Sequence, residues 1–107
     1  MAANIQVQEY PVIVTTSLYG ILFGYITQRP ETIDLYEKNY IELKRVRMCC
    51  FYDKIRGILD LAVSGPNSEC QITPQIAWLK IKDVNAVFPC SEQAAKEWEQ
   101  GYFKYHG

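Results

Sequence analysis

The residues of this sequence best suited to chemistry lie between positions 44 and 56. Lys44-Arg45-Val46-Arg47 is followed by Phe51, Tyr52, Lys54 and Arg56. Side chains alternate in a strand, so Arg45, Arg47, Cys49 and Phe51 fall on the face opposite Val46 and Met48. With the even-numbered residues as core, two guanidinium groups and an aromatic ring are displayed together. Arginine grips phosphates and carboxylates through forked hydrogen bonds, and aromatic rings stack on bases. The constellation suits a small anionic, nucleotide-like ligand or a single-stranded nucleic acid, with Arg45, Arg47, Phe51, Tyr52 and Arg56 as candidate binding residues. The same residues on the solvent side of a sheet would instead make ordinary ion pairs with Glu42, Asp53 or Glu37.

A second hint is the aromatic content, eight tyrosines and two tryptophans among 107 residues. Tyrosine and tryptophan are enriched at interfaces, where one end is apolar and the other wet. Tyr19, Phe23, Tyr25, Tyr102 and Phe103 are the candidates for self-association. Aromatics also fill small cores.

Catalytic machinery is hard to assemble. A nucleophile–base pair needs serine or cysteine beside histidine, and His106 sits next to the last residue. The glycines at 20 and 24 are not followed by the Gly-Lys-Ser/Thr of a phosphate loop. Cys49, Cys50, Cys70 and Cys90 match no zinc spacing, and the adjacent pair would face opposite ways in a strand. Buried thiols in a reducing compartment behave as small hydrophobes. The expectation is a protein that is not an enzyme and uses no cofactor or metal.

The totals bound the class. Hydrophobic residues make up 49% and charged residues 21%, the range of a globular domain. The net charge of −1 gives no global pull towards nucleic acid or an anionic membrane. No apolar run approaches the ~20 residues of a membrane span, and Met1 to Gln8 lacks the layout of a signal peptide. One cytoplasmic domain over 1–107 is expected, with 1–10 a loose lead-in and 101–107 a flexible tail.

These side chains must be positioned by strands. Tyr19-Gly-Ile-Leu-Phe-Gly-Tyr25 puts Tyr19, Ile21, Phe23 and Tyr25 on one face. Leu18, Gly20, Leu22 and Gly24 fall on the other. A glycine within a strand marks a bend, a bulge or a backbone approaching closely, so this stretch reads as a curved hub. Pro11–Thr16 is a strand leading into it through a turn at Ser17. Gln28–Asn39 reads as a loop in which Thr32–Tyr36 forms a helical turn or a short edge strand. In Tyr40–Asp53 the apolar positions switch from odd (Ile41, Leu43) to even (Val46, Met48), which predicts a β-bulge near Lys44–Arg45. Ile55–Ser64 reads as a short helix stopped by Gly65-Pro66. Asn67–Pro74 reads as loop, Gln75–Ile81 and Val84–Phe88 as strands broken by a kink at Lys82-Asp83, and 91–100 as a helix capped by Ser91.

Four groups of residues, in order, resemble a family of small uncharacterised phage and prophage proteins. They are Tyr19-Gly-x-x-Phe-Gly-Tyr25, Arg47-Met-Cys-x-x-Tyr52, Gly57-x-x-x-Leu-Ala-x-x-Gly-Pro66, and Val84 with Val87 ahead of a helix bearing Ala94, Ala95 and Trp98. The loop 28–39 and the tail after Gly101 depart from the pattern. The resemblance implies a phage or mobile-element setting and no particular reaction.

The expected fold is α+β: a strongly curved antiparallel sheet, or a small partly open barrel, of about five strands with two helices. The expected function is non-enzymatic binding or assembly of phage or prophage origin, as a homo-oligomer acting on a host or phage protein or a small anionic ligand. The alternative is a small-barrel binder of single-stranded nucleic acid.

Overall fold

The computed structural model describes residues 8–37, 40–51 and 57–100. Its strands are β1 (Tyr10–Thr16), β2 (Gly20–Ile26), β3 (Ile41–Phe51), β4 (Gln71–Ile72), β5 (Ile76–Ile81) and β6 (Val84–Pro89). Its helices are α1 (Asp60–Val63) and α2 (Glu92–Gln100). The class is α+β, as expected, and every strand pairing is antiparallel. The connection after β2 holds one turn of 3₁₀ helix, Pro30–Thr32. β4 lies within a stretch expected to be loop. Two residues are too few to display alternation, so the sequence carried no sign of it.

β2 is the hub. Every residue from Ile21 to Ile26 is buried, because the strand is covered on both faces. Ile21, Phe23 and Tyr25 join Ile13, Cys49 and Ile72 beneath the two helices. Leu22 and Ile26 join Val12, Val14, Ile41, Leu43, Val46, Ile81 and Val84 in a second core on the other side of the sheet.

The two glycines of β2 do different work. Gly20 opens the strand at the β1–β2 turn, where the Thr16 hydroxyl accepts the Tyr19 N–H at 2.8 Å and donates to the Gly20 carbonyl at 3.2 Å. Gly24 is a true close approach: a Cβ there would lie 3.0 Å from Leu43 Cβ and 3.2 Å from the Lys44 carbonyl. The predicted bulge stands opposite. Phe23 pairs with Arg47 but Tyr25 pairs with Lys44, so β3 carries one extra residue across this step. Arg45 absorbs it with a left-handed φ of 51°.

The sheet runs β4-β3-β2-β1-β6, with β5 also paired to β3. β5 and β6 therefore border opposite sides of the sheet, yet only Lys82 and Asp83 join them. Ile81 and Val84 Cα atoms are at most ~11 Å apart, three trans peptide steps. Four flat strand spacings would separate those edges by about 19 Å. The two edges therefore curl towards one another around the second core. Asp83, at a left-handed φ of 56°, makes the corner. The barrel expectation needs correction: no pairing joins β5 to β6 among the described residues, and the sheet is not closed. A two-residue link ordinarily makes a hairpin. Here it carries the chain across to Thr16, Val84's partner on β1.

The helices cover the other face. Ser91 caps α2 by accepting the Ala94 N–H at 3.0 Å, and its hydroxyl donates to the Val63 carbonyl at 2.8 Å. Gly65 ends α1 with φ 82°, and a Cβ there would sit 2.7 Å from Glu97 Cβ. Only glycine allows the end of α1 to lie this close to α2.

Candidate functional site

Two of the three candidate arginines, Arg45 and Arg47, are held within the chain. Arg45 Nη1 donates to Glu9 Oε1 at 2.9 Å, and its Cζ lies 4.1 Å from the centre of the Tyr25 ring. The hydrogen bond to Glu9, and then its charge, keep the guanidinium firmly protonated, raising its pKa further against the opposing effect of burial. Glu9 was not among the acids expected to pair with this face. Arg47 Nη1 donates to the Thr73 carbonyl and Nη2 to the Glu99 carbonyl, each at 3.1 Å. Glu99 belongs to α2. Arg47 thus ties β3 to the β4–β5 corner and to the end of a helix. Phe51 is half exposed at the end of β3. Tyr52 and Arg56, with Tyr102 and Phe103, lie outside the described residues.

The aromatic face of β2 is also used internally: Phe23 and Tyr25, expected as candidates for self-association, are buried within the chain. Phe23 is stacked on Trp98 and packs edge-on against Tyr25. The Tyr25 hydroxyl donates to a carboxylate oxygen of Glu99. Burial, and then this hydrogen bond, push the Tyr25 pKa well above its ordinary value. The physical reason is α2, whose apolar stripe was legible but whose docking position was not. Tyr19, by contrast, is exposed at the turn.

Cys49, Cys70 and Cys90 are buried and free, and Cys50 is exposed. Burial pushes the Cys49 and Cys90 thiols up to about 12, which removes the thiolate needed for nucleophilic work. Among the described residues, no three His, Cys, Asp or Glu side chains gather to hold a metal. No described helix is long and apolar enough to cross a membrane.

A further concavity lies elsewhere. A recess of about 840 Å³ opens between the β1–β2 turn and β5. Leu22, Val46, Met48 and Leu79 bring the second core to its floor, and Leu18, Tyr19 and Ile76 stand at its mouth. Lys80, Lys82 and Asp83 supply charge along one side. Three exposed apolar side chains stand around it, Leu18 at 78%, Tyr19 at 55% and Ile76 at 50% exposure, and Trp78, on β5 but outside the lining, is 60% exposed. Sequence reasoning placed Trp78 and Lys80 on one strand face but had no means of telling an edge strand from a central one.

No curated protein and no solved structure matches this chain. A family model described as "Domain of unknown function (DUF6948)" matches residues 9–98. That span runs from the acid that pairs with Arg45 to the tryptophan that stacks on Phe23, and the chain belongs to the DUF6948 family.

Proposed function

We propose that this chain is a non-enzymatic binding module whose partner is held in the recess between β5 and the β1–β2 turn. The observation that carries the reading is a cavity of about 840 Å³ rimmed by apolar side chains left in solvent. Ligand sites are concave and largely apolar, with a few polar groups fixing orientation. Scattered exposed apolar residues are ordinary, but a cluster around a cavity marks an interaction site. The arginines of β3 serve this module as ties between elements, with their Nη donors directed at Glu9, Thr73 and Glu99, while Arg47 Nε is buried without a hydrogen-bond partner among the described residues. The motif likeness supports a phage or prophage setting, in the host cytoplasm.

The test is a titration of isotope-labelled protein with small apolar and amphipathic fragments, followed by amide NMR. Shifts are expected at Leu18, Tyr19, Met48 and residues 76–83. Ile76→Lys, at an exposed rim position, should weaken them. Absence of shifts at millimolar fragment, or shifts gathered around Arg45 and Arg47 on adding nucleotides, would overturn the reading.

A further inference from the structure

We infer that the recess receives an extended peptide segment of a partner protein, added as an antiparallel strand to the free edge of β5. The inference rests on the binding reading above and names its ligand class.

The lining of the recess carries the first step. Leu79, Lys80, Ile81, Lys82 and Asp83 are consecutive, and all five line it. Neighbouring residues in a strand point to opposite faces. Leu79, Lys80 and Ile81 belong to β5 and Lys82 and Asp83 to the link after it. The cavity therefore meets both faces of the end of β5, and with them its backbone edge, as well as the sheet face that carries Leu22, Val46 and Met48.

That edge is unpaired. β5 pairs with β3 from Ile41↔Ile81 to Val46↔Ile76, and no strand lies on its other side among the described residues. The outward N–H and C=O groups of β5 therefore border a largely apolar cavity. An apolar small molecule covering them would leave them unsatisfied, at a cost. A peptide strand satisfies them and sends alternate side chains towards Leu22, Val46 and Met48. Native edge strands are ordinarily blunted by charge, proline or a bulge. The Ile76-Ala77-Trp78 half of β5 carries none of these.

Charge selects the partner. Lys80 stands opposite Glu42 in the β3–β5 register. Lys82 makes no ion pair among the described residues. An antiparallel strand would place its N-terminal end beside Lys82, so an acidic residue is favoured there. A second copy paired through β5 about the centre of that strand does not supply one. Two β5 strands paired antiparallel about Trp78 or the Trp78–Leu79 midpoint put Lys82 against Pro74 or Gln75.

The probe is a mixed library of blocked hexapeptides with Asp first and Val, Leu, Ile or Phe at alternate positions. A matched library is N-methylated at alternate amides, which preserves side chains and removes edge hydrogen bonds. On adding the unmethylated library, amide shifts should run along residues 76–82, and the outward β5 amides should exchange more slowly. N-methylation should weaken binding by about tenfold or more. Lys82→Glu, at an exposed position, should switch preference to a library beginning with Lys. Equal binding of the two libraries overturns strand addition, and so does recess binding by fragments with none by peptides; both leave the binding reading standing. Failure of fragments and peptides alike overturns both. Protection of the outward β5 amides that rises with protein concentration alone would assign the edge to a second copy and overturn the inference.

Discussion

Phe23 and Trp98 stack face to face, their ring centroids 5.2 Å apart and their planes 7° from parallel. One is the middle of the hub strand and the other the last buried residue of α2. The indole Nε1 also donates to the Leu61 carbonyl at 2.9 Å, so one side chain holds sheet, α2 and α1 together. Trp98→Ala should cost about 3–5 kcal/mol, the range for emptying a buried aromatic site. Trp98→Phe keeps the stacking surface and leaves the Leu61 carbonyl unpaired, and should cost about 1–3 kcal/mol. Urea unfolding of the two variants checks the order. Equal losses would mean that the hydrogen bond, not the ring, carries the contact.

Gly24 and the bulge at Arg45 form one device. The space where a side chain would stand is occupied by Leu43 Cβ at 3.0 Å. Gly24→Ala pushes two backbones apart and should cost about 1–3 kcal/mol by overpacking. Gly20→Ala meets nothing within 4 Å and bears only the strain of its φ of 72°, about 1–2 kcal/mol. Denaturant midpoints of both variants, with cross-strand NMR contacts between Tyr25 and Lys44, distinguish a shifted register from simple strain.

Much of this was legible because it is local. The phase change between Leu43 and Val46 can only be a bulge if both halves lie in one strand, and Gly65-Pro66 stops a helix in any context. The candidate site was less legible because it depends on what lies beside what. Arg45 and Arg47 share a face with an aromatic ring in the sequence. Neither Glu9, 36 residues away, nor the carbonyl of Glu99, 52 residues away, is signalled by that pattern. The recess is hidden for the same reason. Alternation in Ile76–Ile81 announces a strand, but only the crossing at Lys82-Asp83 makes it an edge.

Alkaline pH should destabilise the protein through groups buried in their neutral forms. Tyr25 has a folded pKa above its ordinary 10.0, caused first by burial and then by Glu99, with Arg45 opposing. A raised pKa gives stability that is whole below the unfolded value and lost as pH climbs past it. Cys49 and Cys90, raised from 9.0 to about 12, act in the same direction. Stability should therefore be level through neutral pH and decline from about 9 upward. Tyr25→Phe should remove the part that begins near 10, measured by urea unfolding at stepped pH; an unchanged decline in that variant would place the effect in the thiols alone. At neutral pH a thiol reagent should label Cys50 at once, and Cys49 and Cys90 only on unfolding.

Arg47 separates a structural role from a nucleic-acid role. Its guanidinium bridges the Thr73 and Glu99 carbonyls, and such charged hydrogen bonds are worth about 1.5–3 kcal/mol. Arg47→Ala should lower stability by that order and speed amide exchange at the end of α2 and around residues 73–75. Arg47→Lys retains the charge but not the planar fork that reaches two carbonyls at once, so it should recover only part of the loss. A phosphate-reading arginine behaves differently. Its removal would leave stability nearly unchanged and weaken binding of single-stranded DNA or RNA, with a shallower dependence on salt. Unfolding curves and a two-salt titration on the same variants decide between the two. A stable Arg47→Ala protein that loses salt-dependent binding would return β3, in place of the recess, to the centre of function.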